Sequence, residues 1–457
     1  MTRLWERGEP ADERLVRFTT GRDPDLDLEL VPFDALASAA HAAMLAEIGV
    51  LQAAERDALV AELAAIAADA RAGRFAIARE DEDGHTAIEN RLAERCGEAG
   101  RRIHTGRSRN DQVIAALRLW AREALLAETA QVLELAERLA ALAEEHRETA
   151  LPGYSHGRQA MPSTLGFLFA AHAEALADAL PWLETAFAHA DRSPLGSAAG
   201  YGVPLPLDRA RVAELLAFGA VQGNTLAVQN DRGKTEWLVL GAALVPALDL
   251  GRLAADLLWL SADELRCVRL APEVTTGSSI MPQKRNPDVL ELVRAGSARL
   301  RARHAEIAAV FAPLASGYHR DLQLTKEPFL EGMRAAADLL AATRRVLDGL
   351  DVDRERCRAL VGRAIGATDE VYRRVAAGAP FRDAYREVAR DPEGAVTGDP
   401  AESWRLRTHL GAPGALDLGP VRATLAAARE RLAERERRVA SAWRLLGAGS
   451  DPTGPDP

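Results

Sequence analysis

The sequence predicts an all-α protein built around a bundle of long helices, and three observations predict it. Ala, Leu, Glu and Arg, all strong helix formers, dominate the 457 residues. Aromatic residues make up only 5% and alternating β-branched runs are nearly absent, so strand signals are scarce. Over long stretches, apolar residues recur at spacings of three and four, the signature of an amphipathic helix.

The elements follow in chain order. Residues 1–110 read as shorter helices mixed with loops, an N-terminal helical domain. From residue 111, "DQVIAALRLWAREALLAETAQVLELAERLAALAEEH" places apolar side chains at Val113, Leu117, Trp120 and Ala124, then at Val132, Leu135, Leu139 and Leu142. That is one long helix, closed by "LPGYSHG". Similar stretches at roughly 163–190, 232–265, 287–310 and 328–350 are joined by short loops rich in Gly, Pro and Ser. Long helices with short connections make a bundle, so 111–360 is expected to be a central bundle domain. Residues 361–457 read as a small C-terminal domain of short helices, broken by "DPEGAVTGDP" and "GAPGALDLGP" and ending in a frayed tail, "GAGSDPTGPDP".

Composition narrows the function. Hydrophobic residues at 48% and charged residues at 27% are ordinary for a globular chain. A net charge of −10 argues against nucleic acid and anionic membrane as partners, so an anionic ligand would need a local island of positive charge. Cys96, Cys267 and Cys357 are odd in number and far apart, which argues against a disulfide framework or a thiolate metal site and points to the cytoplasm. "MTRLWERGEPADERL" is too charged for the apolar core of a signal peptide. The most apolar segment, "WLVLGAALVPALDLGRLAADLLWL", carries Asp249, Arg252 and Asp256 and reads as a helix buried among helices rather than a membrane span.

Four polar loops interrupt the apolar pattern: 81–112, 152–162, "TTGSSIMPQKRNPD" at 275–288 and "SGYHRDLQ" at 316–323. Each has a bland reading. Ser108 or Asn110 in "HTGRSRND" suits a helix N-cap, His156 suits a loop histidine bonded to backbone, and the last two loops suit a basic linker and a solvated turn. The bland readings leave unexplained why all four share Ser/Thr hydroxyls, Asn/Gln amides, Arg/Lys and His. That inventory fits recognition of several carboxylates. "RGKTE" at 232–236 lacks the glycine a phosphate-binding loop needs, because Val228 stands there. No HExxH or paired Cys/His spacing suggests a metal.

These residues resemble a known family. "TGSSIMPQKRNPD" is similar to the shared loop of the fumarase/aspartase superfamily. "HTGRSRNDQ", with "DEDGHTAIE", "PGYSH", "SPLGSAAGYGVPLPLDR" and "YHRDLQ", resembles the argininosuccinate lyase branch, in the right order from about residue 4 to 330. The resemblance implies a three-domain helical fold whose central helices form a larger bundle in a homotetramer, with each site assembled from three chains. It implies β-elimination of argininosuccinate to arginine and fumarate, in arginine biosynthesis, with no metal or organic cofactor.

By position, the resemblance makes Ser278 the base on a mobile loop, with Ser279 second. Lys284 and Asn286 would hold the succinyl carboxylates and stabilise the doubly charged aci-carboxylate intermediate. His156, partnered by Glu291, would protonate or stabilise the leaving nitrogen, or position substrate. Ser108, Arg109 and Asn110 would hold the fumarate-side carboxylates. Ser155 stands for the family's usual threonine. Tyr318, Arg320 and Gln323 would grip the arginine half, Arg320 replacing the usual lysine, and Arg232 would add to the cationic pocket. The chain departs from the pattern at "GRQAMP" after His156, at His319 in place of asparagine, and around Trp5, where a glycine-rich motif is largely missing. These departures touch the amino-acid end of the site more than the elimination end. Two other readings stand beside the first: a superfamily lyase for another N-substituted aspartate, and a non-catalytic structural relative.

Overall fold

The computed structural model describes residues 12–447; the motif around Trp5 and the tail beyond Gly447 lie outside the described residues. The N-terminal region holds α1 (Glu13–Thr20), α2 (Asp23–Glu47), α3 (Ala53–Arg71), α4 (Gly84–Cys96) and α5 (Glu98–Arg102). α2 is 25 residues long and α3 is 19, longer than the short helices expected here. Alanine-rich stretches with charges on several sides hide their periodicity, yet both helices pack on each other and α2 packs on the bundle.

The bundle consists of α6 (Arg109–Glu145), α7 (Leu165–Ala190), α10 (Lys234–Ser261), α11 (Asp288–Phe311) and α12 (Lys326–Asp348), with the short α8 (Arg209–Leu215) and α9 (Thr225–Asn230) between α7 and α10. α6 starts where a capping box stops fraying. Ser108 Oγ accepts the Asn110 N–H at 3.3 Å and Asp111 Oδ1 accepts the Ser108 N–H at 2.9 Å. Its apolar stripe is buried against α7, α12 and α2.

Between α6 and α7 the expected loop is instead a hairpin, β1 (Ala150–Ser155) with β2 (Arg158–Thr164). Its two-residue turn, His156-Gly157, has φ of 52° and 68°, the doubly positive pair that matches strand twist in a tight hairpin. Pro152 faces Pro162 in the ladder. Proline cannot donate to a ladder, and this pair disguises the strands in the sequence. Three further pairs are two residues long: β3 (Arg192–Ser193) with β4 (Ala220–Val221), β5 (Val268–Arg269) with β8 (Asp351–Val352), and β6 (Thr276–Gly277) with β7 (Arg285–Asn286).

The C-terminal part begins with α13 (Arg354–Ala359), α14 (Ala367–Ala376), α15 (Phe381–Val388) and α16 (Pro392–Ala395), with a small core of Val371, Ala384 and Val388. It then differs from the expected run of short helices. α17 (Gly419–Ala442) is 24 residues long and packs back on α6 and α7. Beyond it, Trp443 lies edge-on to Phe33 at 5.5 Å and beneath Arg71 at 4.0 Å, tying the end of α17 to α2 and α3.

Successive bundle helices alternate in direction, so the bundle has two distinct ends. At one, the α6 start meets the α7 end (Arg118 Nη1 to Arg192 O, 2.7 Å), and the α10 start meets the α11–α12 turn (Gly317 N to Asn230 Oδ1, 2.9 Å). At the other, the α6 end meets the α12 end (Arg138 Nη2 to Leu347 O, 3.0 Å). The 28 residues of α10 separate these ends by roughly 42 Å at about 1.5 Å per residue.

α10 and α2 are long and apolar enough to cross a membrane by composition. α2 is mostly buried inside the protein, whereas α10 keeps an apolar face open, with Leu248 44% and Trp259 49% exposed. The bundle also buries Glu128 of α6, whose two carboxyl oxygens have no hydrogen-bond partner among the described residues. Burial pushes this carboxyl up to about 8. The folded state therefore holds a proton that the unfolded state releases near pH 4.5, so Glu128 costs stability progressively as pH rises from there to about 8. Glu128→Gln should remove a few kcal/mol of that slope, read as thermal melts at pH 5 and pH 8.

Candidate active site

A cavity of about 160 Å³ opens at the end of the bundle where α6, α10 and α12 begin. Six of the residues singled out in the sequence line it: Arg109, Asn110, Arg232, Tyr318, Arg320 and Gln323. The fold explains the convergence. Arg109 and Asn110 are the first residues of α6, Arg232 precedes α10, and 318–323 is the turn into α12. Arg109 donates to Thr86 Oγ1 at 2.8 Å and pairs with Asp83 at 3.3 Å. Arg232 is buried and lies 5.9 Å from the Tyr318 ring. Arg320 donates to Thr19 O at 2.8 Å and Gln323 to the same carbonyl at 2.9 Å, filling acceptors left open at the end of α1. Ser108 sits beside them as the cap.

Sequence reasoning missed the acidic side of this cavity. Lys326, three residues beyond Gln323, is buried, with Nζ 2.5 Å from Asp27 and 3.0 Å from Asp23. Burial alone would lower its pKa, but the two aspartates outweigh that and hold the ammonium above the ordinary lysine range. Below it, His85 Nδ1 lies 2.5 Å from Asp34 Oδ2. Burial again opposes the charged form, yet Asp34 prevails and raises the imidazole to about 9, so His85 is a cation at neutral pH. The one available signal was position: His85 lies inside "DEDGHTAIE", and Lys326 is one helical turn from Gln323. Asp23 and Asp27 gave none, since carboxylates at the start of a helix ordinarily favour its dipole.

The remaining singled-out residues lie at the opposite end. Ser155 and His156 are exposed at the tip of the β1–β2 hairpin. Ser278, Ser279 and Lys284 lie on the loop 275–288, pinched at its base by β6 and β7 and by a Thr276 hydroxyl bond to Asp288. Ser278 Oγ accepts the N–H groups of Ile280 at 3.3 Å and Met281 at 3.1 Å. Asn286 Nδ2 reaches Gly277 O at 3.5 Å, and Lys284 and Glu291 are exposed. One chain therefore groups its singled-out residues into two sets a bundle length apart. Within the chain no hydrogen bond joins His156 to Glu291 among the described residues.

The lyase family model, described simply as "Lyase", matches residues 6–301. The argininosuccinate lyase of Sorangium cellulosum is 47% identical over 91% of this chain and 96% of its own length. That of Thermotoga neapolitana is 41% identical over 85% and 97%. Among solved structures, an EDDS lyase variant with bound fumarate superposes with a TM-score of 0.74 at 24% identity, covering 96% of this chain and 94% of that one. The class II fumarase of Schistosoma mansoni gives 0.69 at 16% identity, covering 87% and 96%. These two likenesses are of fold: both proteins share the long-helix bundle. With near-full-length relatives above 40% identity, the chain belongs to the argininosuccinate lyase family.

Proposed function

We propose that this chain cleaves argininosuccinate to arginine and fumarate by β-elimination, in a cytoplasmic homotetramer whose sites combine both ends of the bundle from different copies. The observation that carries the reading is the bipolar cavity of Arg109, Arg232, Arg320 and Lys326 against Asp23, Asp27, Glu82 and Asp83. Argininosuccinate bears carboxylates, an ammonium and a guanidinium, so its recognition needs both signs of charge with directional donors. Arg109 and Asn110 would hold carboxylate, while the acidic wall with Tyr318 and Gln323 would hold the arginine half.

The chemistry belongs to the other set of residues. A serine is a weak base until its deprotonated form is stabilised. Two backbone N–H groups already point at Ser278 Oγ and leave its own hydrogen free. That arrangement favours an alkoxide able to take the Cβ proton. Lys284 and Asn286 on the same loop would meet the charge building on the succinyl carboxylate. His156, at the tip of a stiff two-residue turn, would approach the leaving nitrogen, with Glu291 of a copy orienting it.

The distance between the two sets supports this assembly. A second bundle lying antiparallel would bring its serine loop to this chain's cavity, and the apolar face left open on α10 is the surface for that contact. Purified protein should release fumarate and arginine in equal amounts from argininosuccinate and leave adenylosuccinate and aspartate untouched. Turnover of adenylosuccinate instead would move the assignment to another branch.

A further inference from the structure

Cys267 and Cys357 are both fully buried, and the Cys357 thiol donates to the backbone oxygen of Cys267. The pairing is built into the fold. Cys267 O accepts the Asp353 N–H at 3.0 Å, immediately ahead of α13, and Cys357 Sγ, on α13, lies 3.8 Å from that same oxygen. β5 follows Cys267 directly and pairs with β8 through only two residues, Val268 with Val352 and Arg269 with Asp351. Six residues beyond β5 the serine loop begins. The pair therefore sits where the root of that loop is fastened to the C-terminal helices.

We propose that Cys267 and Cys357 form a reversible disulfide on exposure to a hydroperoxide, and that this cross-link restrains the root of the 275–288 loop and slows turnover. The two thiols differ in a way that suits the chemistry. The Cys357 thiol keeps its proton by donating it to Cys267 O, and the paired thiol, with Arg356 assisting, holds Cys267 below the usual cysteine range, so Cys267 is the nucleophile. Its thiolate attacks one peroxide oxygen; the O–O bond breaks, and the departing hydroxide takes a proton to give water and a sulfenic acid. The Cys357 sulfur then attacks the Cys267 sulfur, the S–O bond breaks, and the lost hydroxide combines with the Cys357 proton as a second water. Two thiols and one hydroperoxide thus give one disulfide and two waters, or one water and an alcohol for an alkyl hydroperoxide. Access needs only local opening of the two-residue β5–β8 ladder, whose Arg269 and Asp351 side chains are exposed.

The effect on turnover rests on the proposed function; the cross-link does not. Cys96→Ser protein, which keeps only this pair, would be treated with hydrogen peroxide, freed of oxidant with catalase, denatured, alkylated and peptide-mapped. The expected result is a Cys267–Cys357 cross-linked peptide, a fall in fumarate release of at least threefold, and recovery of both with dithiothreitol. Cys357→Ala in the same background should keep its turnover through the treatment. Both cysteines found alkylated after exposure would overturn the proposal, as would a cross-linked protein of undiminished turnover. A chain that forms the cross-link yet never turns over argininosuccinate, oxidised or reduced, would overturn the lyase reading and the slowing of turnover with it, but not the disulfide.

Discussion

Ser278→Ala should abolish fumarate release while leaving the fold untouched. Positioned proton transfer contributes about 10²–10⁴ in rate, so turnover should fall by that range. The structural cost should be small. The Ile280 and Met281 N–H groups that lose Ser278 Oγ lie on an exposed loop, where water can replace it. Melting temperature and circular dichroism should match the parent. Ser279→Ala is the control, because its neighbour alone collects the two backbone donors; it should retain most activity. Equal losses at the two positions would remove Ser278 as the base.

Lys326→Met should do damage of another kind. It deletes the cation that Asp23 and Asp27 share inside the protein. Breaking a buried ion pair by removing one partner costs about 3–5 kcal/mol, because the remaining charge is uncompensated. The variant should melt several degrees lower, and Asp27→Asn added to it should restore part of the loss. Whatever folds should show a raised KM for argininosuccinate, since the cavity loses one of the cations that face the substrate's carboxylates. Unchanged stability would mean that Asp23 and Asp27 relax to solvent, and the cavity's electrostatics would need revision.

How legible this was in the sequence depends on the element. The helices expected at 287–310 and 328–350 run from 288 to 311 and from 326 to 348, because a long apolar period has only one way to be buried. The hairpin was illegible, since two prolines and a turn that tolerates His-Gly give no strand signal. α17 was hidden because its sequence is so rich in Arg and Glu that its contact face is narrow. For the site, each motif was readable, but their partition between the two ends of the bundle was not. That separation is a property of helix length and direction, which local patterns do not encode. The carboxylates around Lys326 were invisible for a related reason: they come from α2, roughly 300 residues earlier in the chain, and have meaning only in contact.

In the proposed assembly, a working site takes its binding residues from one copy and its serine loop from another. Arg109→Ala and Ser278→Ala chains, each inactive alone, should be co-expressed with different tags and the mixed oligomer isolated through both. If the account holds, the mixed oligomer regains turnover of argininosuccinate, because some sites then pair an intact cavity with an intact loop. A mixed oligomer as inactive as its parents would place both residues in the same chain's site and contradict it.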